Sequence, residues 1–231
     1  KEYPDTKFIW VDNPAEGIED LPNVLCILYA QNEGSFLAGY IAASMSETGV
    51  VGAVGGEDND TINDFLIGYK EGAQYANPDI KVVTNYANTY EDPAKGKECA
   101  LALNSQGADV IFAFAGNTGN GVFAAAKEKG FYVIGVDQDQ KLSAPEYDEQ
   151  IICSMKKEVG TSVYDTVKAL IEDDTWDGGR IWTADMATGY VSMAYGDENS
   201  TQQVSDDLKK ATDDIQNKIV AGEITVSTAR K

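Results

Sequence analysis

Short apolar runs, each followed by a segment of helical length, most constrain what this chain can fold into. VLCILYA (24–30), VVGAVGG (50–56), DVIFAFAG (109–116) and YVIGVDQ (132–138) carry no polar residue alternating through their interiors. Strands built from them are covered on both faces, as in parallel sheets. Between the runs lie segments with helical spacing. Gly34–Ser46 is rich in small residues and stopped by Gly49; Thr61–Ala76 is amphipathic and closed by Asn77-Pro78; Asp92-Pro93 opens a helix reaching Ser105; Gly119–Lys129 is a fourth. KFIWVD, IKVVTNYA and IICSMKK add strands, Thr161–Glu172 a helix, and RIWTADMATGYVSMAY two short strands. Gln203–Val220 is a final helix with a polar outer face, followed by the tail EITVSTARK. The alternation predicts an α/β fold, a parallel sheet with helices on both faces.

The charge balance narrows the partners. Thirty-eight acidic and 18 basic residues give a net charge of −20, which repels nucleic acid and anionic lipid. There is no histidine, so the commonest general base and the commonest zinc ligand are both missing. Cys26, Cys99 and Cys153 are far apart, without a C-x-x-C pair, and read as buried inert thiols. No apolar run is long enough to span a membrane. KEYPDTKFIW lacks the apolar middle and cleavage site of a signal peptide, so the protein is either cytoplasmic or exported by a signal upstream of this sequence.

Ligands of open α/β sheets sit beyond the carboxyl ends of the strands. The residues there are 30–33, 55–60, 85–90, 114–117, 137–140 and 154–157, a set rich in carboxylates and aromatic rings that suits a neutral, polar ligand with a flat ring. The stretch Gly116-Asn117-Thr118-Gly119-Asn120-Gly121 is not a P-loop, because no Gly-Lys-Ser/Thr follows. Its G-x-x-G-x-G order also misplaces the close-approach glycine of the dinucleotide fingerprint. Asp137, at the end of the next strand, nevertheless keeps a nicotinamide-dependent oxidoreductase open as an alternative. Asp137 and Asp139 lack a third metal ligand, and EDNDTINDF (57–65) fails as a calcium loop for want of its glycine and closing glutamate. With so thin a catalytic inventory, a binding protein without cofactor or metal is favoured over an enzyme. Lys156 stands out as a cation beside strand-end carboxylates.

Five ordered motifs carry a resemblance. NEGSFLAGYIAA (32–43), VGAVGGEDNDTINDFLIGYKEGAQYANPDIKV (51–82), DPAKGKECALAL (92–103), GADVIFAFAGNTGNGVFAAAKEKG (107–130) and IGVDQDQ (134–140) together resemble the basic membrane protein family. These are nucleoside-binding lipoproteins of bacterial ABC importers, with the type I periplasmic-binding-protein fold. IQNKIVAGEITV (215–226) is similar to the family's closing helix and strand. The resemblance implies two doubly wound parallel-sheet lobes with a purine nucleoside (guanosine, inosine or adenosine) in the cleft between them. It also implies an ABC permease as partner and an extracytoplasmic, lipid-anchored location, with the anchor and signal outside this sequence. Lobe 1 is expected to take residues 1–78 and about 157–180, lobe 2 residues 79–156 and about 181–231.

Family roles then fall on Asp137 for the ribose hydroxyls and on Phe112 or Phe114 for stacking on the base, strand-end position favouring Phe114. The lysine of the S-x-x-K-like segment falls on Lys156, and the acidic residue after Gly55-Gly56 on Asp58. The backbone of Gly116 and Asn117 would approach the nucleoside. Asp60-Thr61 stands where the family has a proline, and the chain starts at about the family's third strand, without a first strand and helix that carry an aspartate and a phenylalanine contacting the nucleoside. A ligand-sensing lobe that acts through protein partners is the third reading.

Overall fold

The structure, a computed structural model, describes residues 2–13 and 16–230. The apolar runs become strands: β1 (Phe8–Val11), β2 (Val24–Tyr29), β3 (Val50–Gly55), β4 (Lys81–Tyr86), β5 (Val110–Phe114), β6 (Tyr132–Asp137), β7 (Ile151–Lys157), β8 (Arg180–Ala184) and β9 (Val191–Ala194). The helices are α1 (Gln31–Met45), α2 (Asp60–Ala76), α3 (Pro93–Asn104), α4 (Gly119–Lys129), the single turn α5 (Gln140–Ser143), α6 (Val159–Asp173) and α7 (Asp206–Val220). Their starts follow the expected chemistry. The Asn59 carboxamide accepts the Ile62 N–H at 3.0 Å, and the Asp92 carboxylate accepts from Ala94 and Lys95 at 3.0 and 3.2 Å with Pro93 in the first turn.

The strands form two sheets. One has the order β1-β2-β8, all parallel; the other has the order β4-β3-β5-β6-β7-β9, parallel except for β9, which runs against β7. The division therefore falls after β2, not at Asn77-Pro78. The expected bounds placed β3 with residues 1–78, but its run is apolar throughout because β4 and β5 flank it on both edges. The chain passes between the sheets three times: from β2 through α1 to β3, from β7 through α6 to β8, and from β8 to β9. Glu223–Val226, expected as a closing strand, joins neither sheet.

Helices cover both faces of the six-stranded sheet. On one face Phe36, Leu37 and Ile41 of α1 and Phe65 and Tyr69 of α2 are buried in a core shared with Leu25, Ile27 and Tyr29 of β2. On the other, Ala100 and Leu103 of α3 and Val122 and Phe123 of α4 cover Ile111 and Val133. Helix α1 lies so close to α2 that a Cβ at Gly72 would collide with the Phe36 carbonyl. The strand order reverses at β3, whose neighbours β4 and β5 leave on opposite sides. That reversal opens a crevice beyond the carboxyl ends of β3 and β5.

The close helix contact yields a test. Gly72→Ala forces a methyl group against backbone that cannot move without shifting α1, and should cost at least about 2 kcal/mol. A chemical unfolding curve reads it; an unchanged midpoint would show that α1 and α2 are looser than described.

Candidate functional site

The crevice is the mouth of a cleft of about 720 Å³. Asp12 and Asn13, after β1, contribute from the three-stranded sheet. Asn59–Ile62 and Phe65 after β3, Tyr90 after β4, Phe114 and Gly116 at β5, Val136 and Asp137 at β6 and Lys157 at β7 contribute from the other. The cleft thus joins the carboxyl ends of strands from both sheets.

Lys157 is its electrostatic centre. Its side chain is only 5% exposed, and its Nζ lies 2.6 Å from Asp12 Oδ2 and 3.8 Å from Asp137 Oδ1. The same ammonium sits 5.0 Å from the ring centre of Tyr29 and 5.7 Å from that of Phe65, both within cation–π range. Asp12 and Asp137 end their strands with φ of 59° and 67°. This left-handed conformation is uncommon outside glycine but tolerated by Asp, and it occurs in both carboxylates that approach the lysine. Asp12 Oδ1 is buried without a hydrogen-bond partner among the described residues. Asp137 faces the cleft with its side chain 54% exposed, where the surrounding strand ends displace part of its hydration. That desolvation raises its pKa above the ordinary 3.8; Lys157 opposes the rise and Asp12 adds to it.

The aromatic wall is layered. Phe114 is stacked on Phe65 with centroids 5.3 Å apart and planes 7° from parallel. Phe112 meets Phe114 edge-on at 5.0 Å, but it is fully buried and outside the lining. Tyr90 presents a more accessible ring, its hydroxyl accepting from Asn59 Nδ2 at 3.1 Å.

Of the residues expected from the sequence, Asp137, Phe114 and Gly116 come together in the cleft. Four do not. Phe112 is core. Lys156 leaves β7 on the face opposite to Lys157 and pairs with Glu158. Asp58 accepts from Asn63 at 2.9 Å, and its neighbour Asn59 lines the cleft instead. Asn117 is bonded to Asn120 at 2.8 Å and lines a smaller polar recess beside Gly116 and Asp137. Gly116 takes φ 56°, whereas Gly121 serves helix packing: a Cβ there would strike the Pro93 carbonyl of α3. Asp139 caps α5 and accepts the Gly196 N–H at 2.9 Å. Lys157 was within reach of the sequence, since S-x-x-K counted from Ser154 ends on it; Asp12, from the other sheet, left no such signal.

The three crossovers are bonded to one another. Ala30 N–H donates to Ala184 O and Glu158 N–H to Tyr190 O, both at 2.9 Å, and Met186 N–H donates to the Glu33 carboxylate at 3.0 Å. Three adjacent, mutually bonded segments thus connect the two sheets that line the cleft.

Comparison with known proteins agrees with this geometry. The family model for ABC transporter substrate-binding proteins of the PnrA-like type (Bmp) matches residues 1–230. Basic membrane protein A2 of Borrelia garinii subsp. bavariensis is 35% identical over 228 residues, covering 97% of this chain and 65% of that protein. The ABC transporter nucleoside-binding protein BmpA of Lactococcus lactis subsp. cremoris is 36% identical over 240 residues, covering 98% and 66%. The chain thus spans just under two thirds of the length of these curated relatives. A solved structure of an ABC transporter solute-binding protein from Aeropyrum pernix K1 superposes with a TM-score of 0.85 at 27% identity, covering 100% of this chain and 73% of that one. With its two sheets, its three connecting segments and its cleft at the strand ends, the chain belongs to the basic membrane protein (PnrA-like) family of ABC transporter solute-binding proteins.

Proposed function

We propose that the chain binds a purine nucleoside in this cleft and delivers it to an ABC permease at the outer face of a membrane. The observation that carries the reading is the polarity of the lining: three carboxylates (Asp12, Asp60 and Asp137), one ammonium (Lys157) and an aromatic wall. Such a site repels phosphate groups and favours an uncharged ligand with a flat ring and several donors. Asp137 accepts the ribose hydroxyls. Asp12, whose side chain is one third exposed, accepts N–H groups from the edge of the base through Oδ2, the oxygen that also accepts from Lys157. Lys157 fixes both carboxylates, Tyr90 and Phe114 offer ring faces, and Gly116 lets the backbone come near. Stacking of this kind contributes roughly 1–3 kcal/mol per base.

Ligand contacts to both sheets stabilise the closed arrangement, and the permease recognises that shape. A lipid anchor outside the present sequence would hold the protein at the membrane. No helix among the described residues is long and apolar enough to cross it. The same lining argues against a nicotinamide dinucleotide, whose pyrophosphate would face three carboxylates.

Calorimetric titration tests the reading. Guanosine should bind with a Kd near the micromolar range, about −8 kcal/mol, and guanosine monophosphate at least about tenfold more weakly, as expected for an added charge in an anionic site. Heat from NAD but none from guanosine would reverse the conclusion.

Substitutions separate neighbouring residues. Lys157→Met should weaken guanosine binding by at least about tenfold, the scale of a lost charge-assisted hydrogen bond. Lys156→Met should change it less than about twofold, because Lys156 pairs with Glu158 outside the cleft lining. Equal effects from both would remove Lys157 from the site.

Asp137→Asn makes a paired prediction. A carboxyl whose folded pKa is raised disfavours the folded state once pH exceeds that value, and the penalty disappears when pH falls below the unfolded pKa. Asparagine keeps the left-handed backbone without the charge. The ligand-free variant should therefore melt at a higher temperature than the parent at neutral pH, with the gain fading towards pH 4, while nucleoside binding falls. Loss of thermal stability at neutral pH would contradict the raised pKa.

A further inference from the structure

The segment Val226–Arg230 has no part in either sheet, yet it is bound to α2 and to the first crossover. Asp64 of α2 is a buried carboxylate, 1% exposed. Its Oδ1 accepts from the Thr228 hydroxyl at 2.6 Å and from the Ala229 N–H at 2.7 Å; its Oδ2 lies 3.0 Å from Arg230 Nε and 3.4 Å from Gln31 Nε2. Two turns further along α2, Glu71 accepts the Ser227 N–H at 3.0 Å. From α1, Asn32 donates to the carbonyls of Val226 and Ser227 at 3.3 and 3.1 Å. Arg230 Nη1 then donates to the Tyr29 carbonyl at 3.1 Å.

The two ends of this chain of contacts are functional places. Phe65, the residue after Asp64, is stacked on Phe114 in the cleft wall and lies under the Lys157 ammonium. Tyr29 is the last residue of β2, at the first crossover, and its ring centre lies 5.0 Å from the same ammonium. A buried carboxylate deprived of its donors is strongly unfavourable, so Asp64 and the segment hold each other in place.

We propose that Asp64 and Arg230 are positioning residues for ligand binding. Through them the segment Val226–Arg230 sets the distance between α2, which belongs with the six-stranded sheet, and the end of β2 in the other sheet. That distance fixes Phe65 and Tyr29 against Lys157. Without the brace, α2 can move away from the crossover, the aromatic wall and the ammonium lose their common position, and bound ligand leaves faster. The binding arm of the test rests on the nucleoside reading.

The test uses Arg230→Ala, together with Thr228→Val, which keeps volume but removes one donor to Asp64. Three quantities are measured: the thermal midpoint, guanosine affinity and dissociation rate well below that midpoint, and hydrogen exchange of the ligand-free protein. Arg230→Ala is expected to weaken guanosine binding about tenfold, the scale of one charge-assisted hydrogen bond, chiefly through faster dissociation. It is also expected to speed exchange at residues 29–32 and 62–66 while leaving 119–129 unchanged. Thr228→Val should show the same pattern to a smaller extent. A lower midpoint with parental affinity and parental exchange at both segments would mean that the segment only holds the fold together, and would overturn the proposal. If the parent protein takes up no guanosine, the nucleoside reading fails separately and the exchange comparison decides: faster exchange at both segments supports positioning, unchanged exchange overturns it.

Discussion

One ammonium group organises this molecule. Lys157 is the last residue of β7, where the chain leaves the six-stranded sheet, and Asp12 and Asp137 reach it from strands of different sheets. Without a cation between them these carboxylates would repel each other across a partly desolvated space. With it, both are held at the wall of the cleft. The nearby aromatic rings of Tyr29 and Phe65 replace some of the hydration the lysine gives up. The cleft, the crossovers and the two-sheet arrangement therefore meet at a single charge, and displacing β1, β6 or β7 disturbs all three.

Much of the fold was legible because apolar runs report burial directly. VVGAVGG and DVIFAFAG have no polar alternation because β3 and β5 lie inside a sheet covered on both faces. Burial does not name the neighbour, however. Nothing in the β3 run says that its partners are β4 and β5 rather than β1 and β2, and for that reason the expected boundary fell at Asn77-Pro78. The tail was misjudged for a related reason. EITV has the composition of a strand, but residues 226–230 satisfy their backbone through Asn32, Glu71 and Asp64, so no sheet edge is needed.

The site was legible where one strand end sufficed. Asp137, Phe114 and Gly116 each follow from the rule that ligands sit beyond carboxyl ends. Lys156 was the wrong neighbour because side chains alternate along a strand: moving one residue moves the charge to the opposite face, against Glu158. Asp12 stayed hidden because its role depends on a second sheet whose placement no local pattern records. Phe65 stayed hidden because an apolar residue on a helix reads as core, and it is core; only the stacking on Phe114 makes it part of the wall. The glycine run misled in a different way. It looks like a ligand loop, yet Gly121 is there so that α4 can approach α3, and only Gly116 belongs to the cleft.

A cleft of this kind is held at some expense of stability. Asp137 is kept in a left-handed conformation with its charge partly stripped of water, and Asp12 buries an oxygen without a hydrogen-bond partner among the described residues. Neither feature helps the ligand-free fold, and unsatisfied buried acceptors are among the more destabilising features a protein can carry. A ligand that donates to Asp137 offsets part of its lost hydration as it binds, so ordering that opposes folding becomes preorganisation for recognition. The surrounding structure supplies the compensation: tightly packed α1 and α2, three mutually bonded crossovers, and a fully engaged Asp64 behind the aromatic wall. The rigidity of that frame is what allows two carboxylates to be placed around one lysine, with Asp60 nearby in the lining, without the site relaxing into a better-satisfied, ligand-indifferent arrangement.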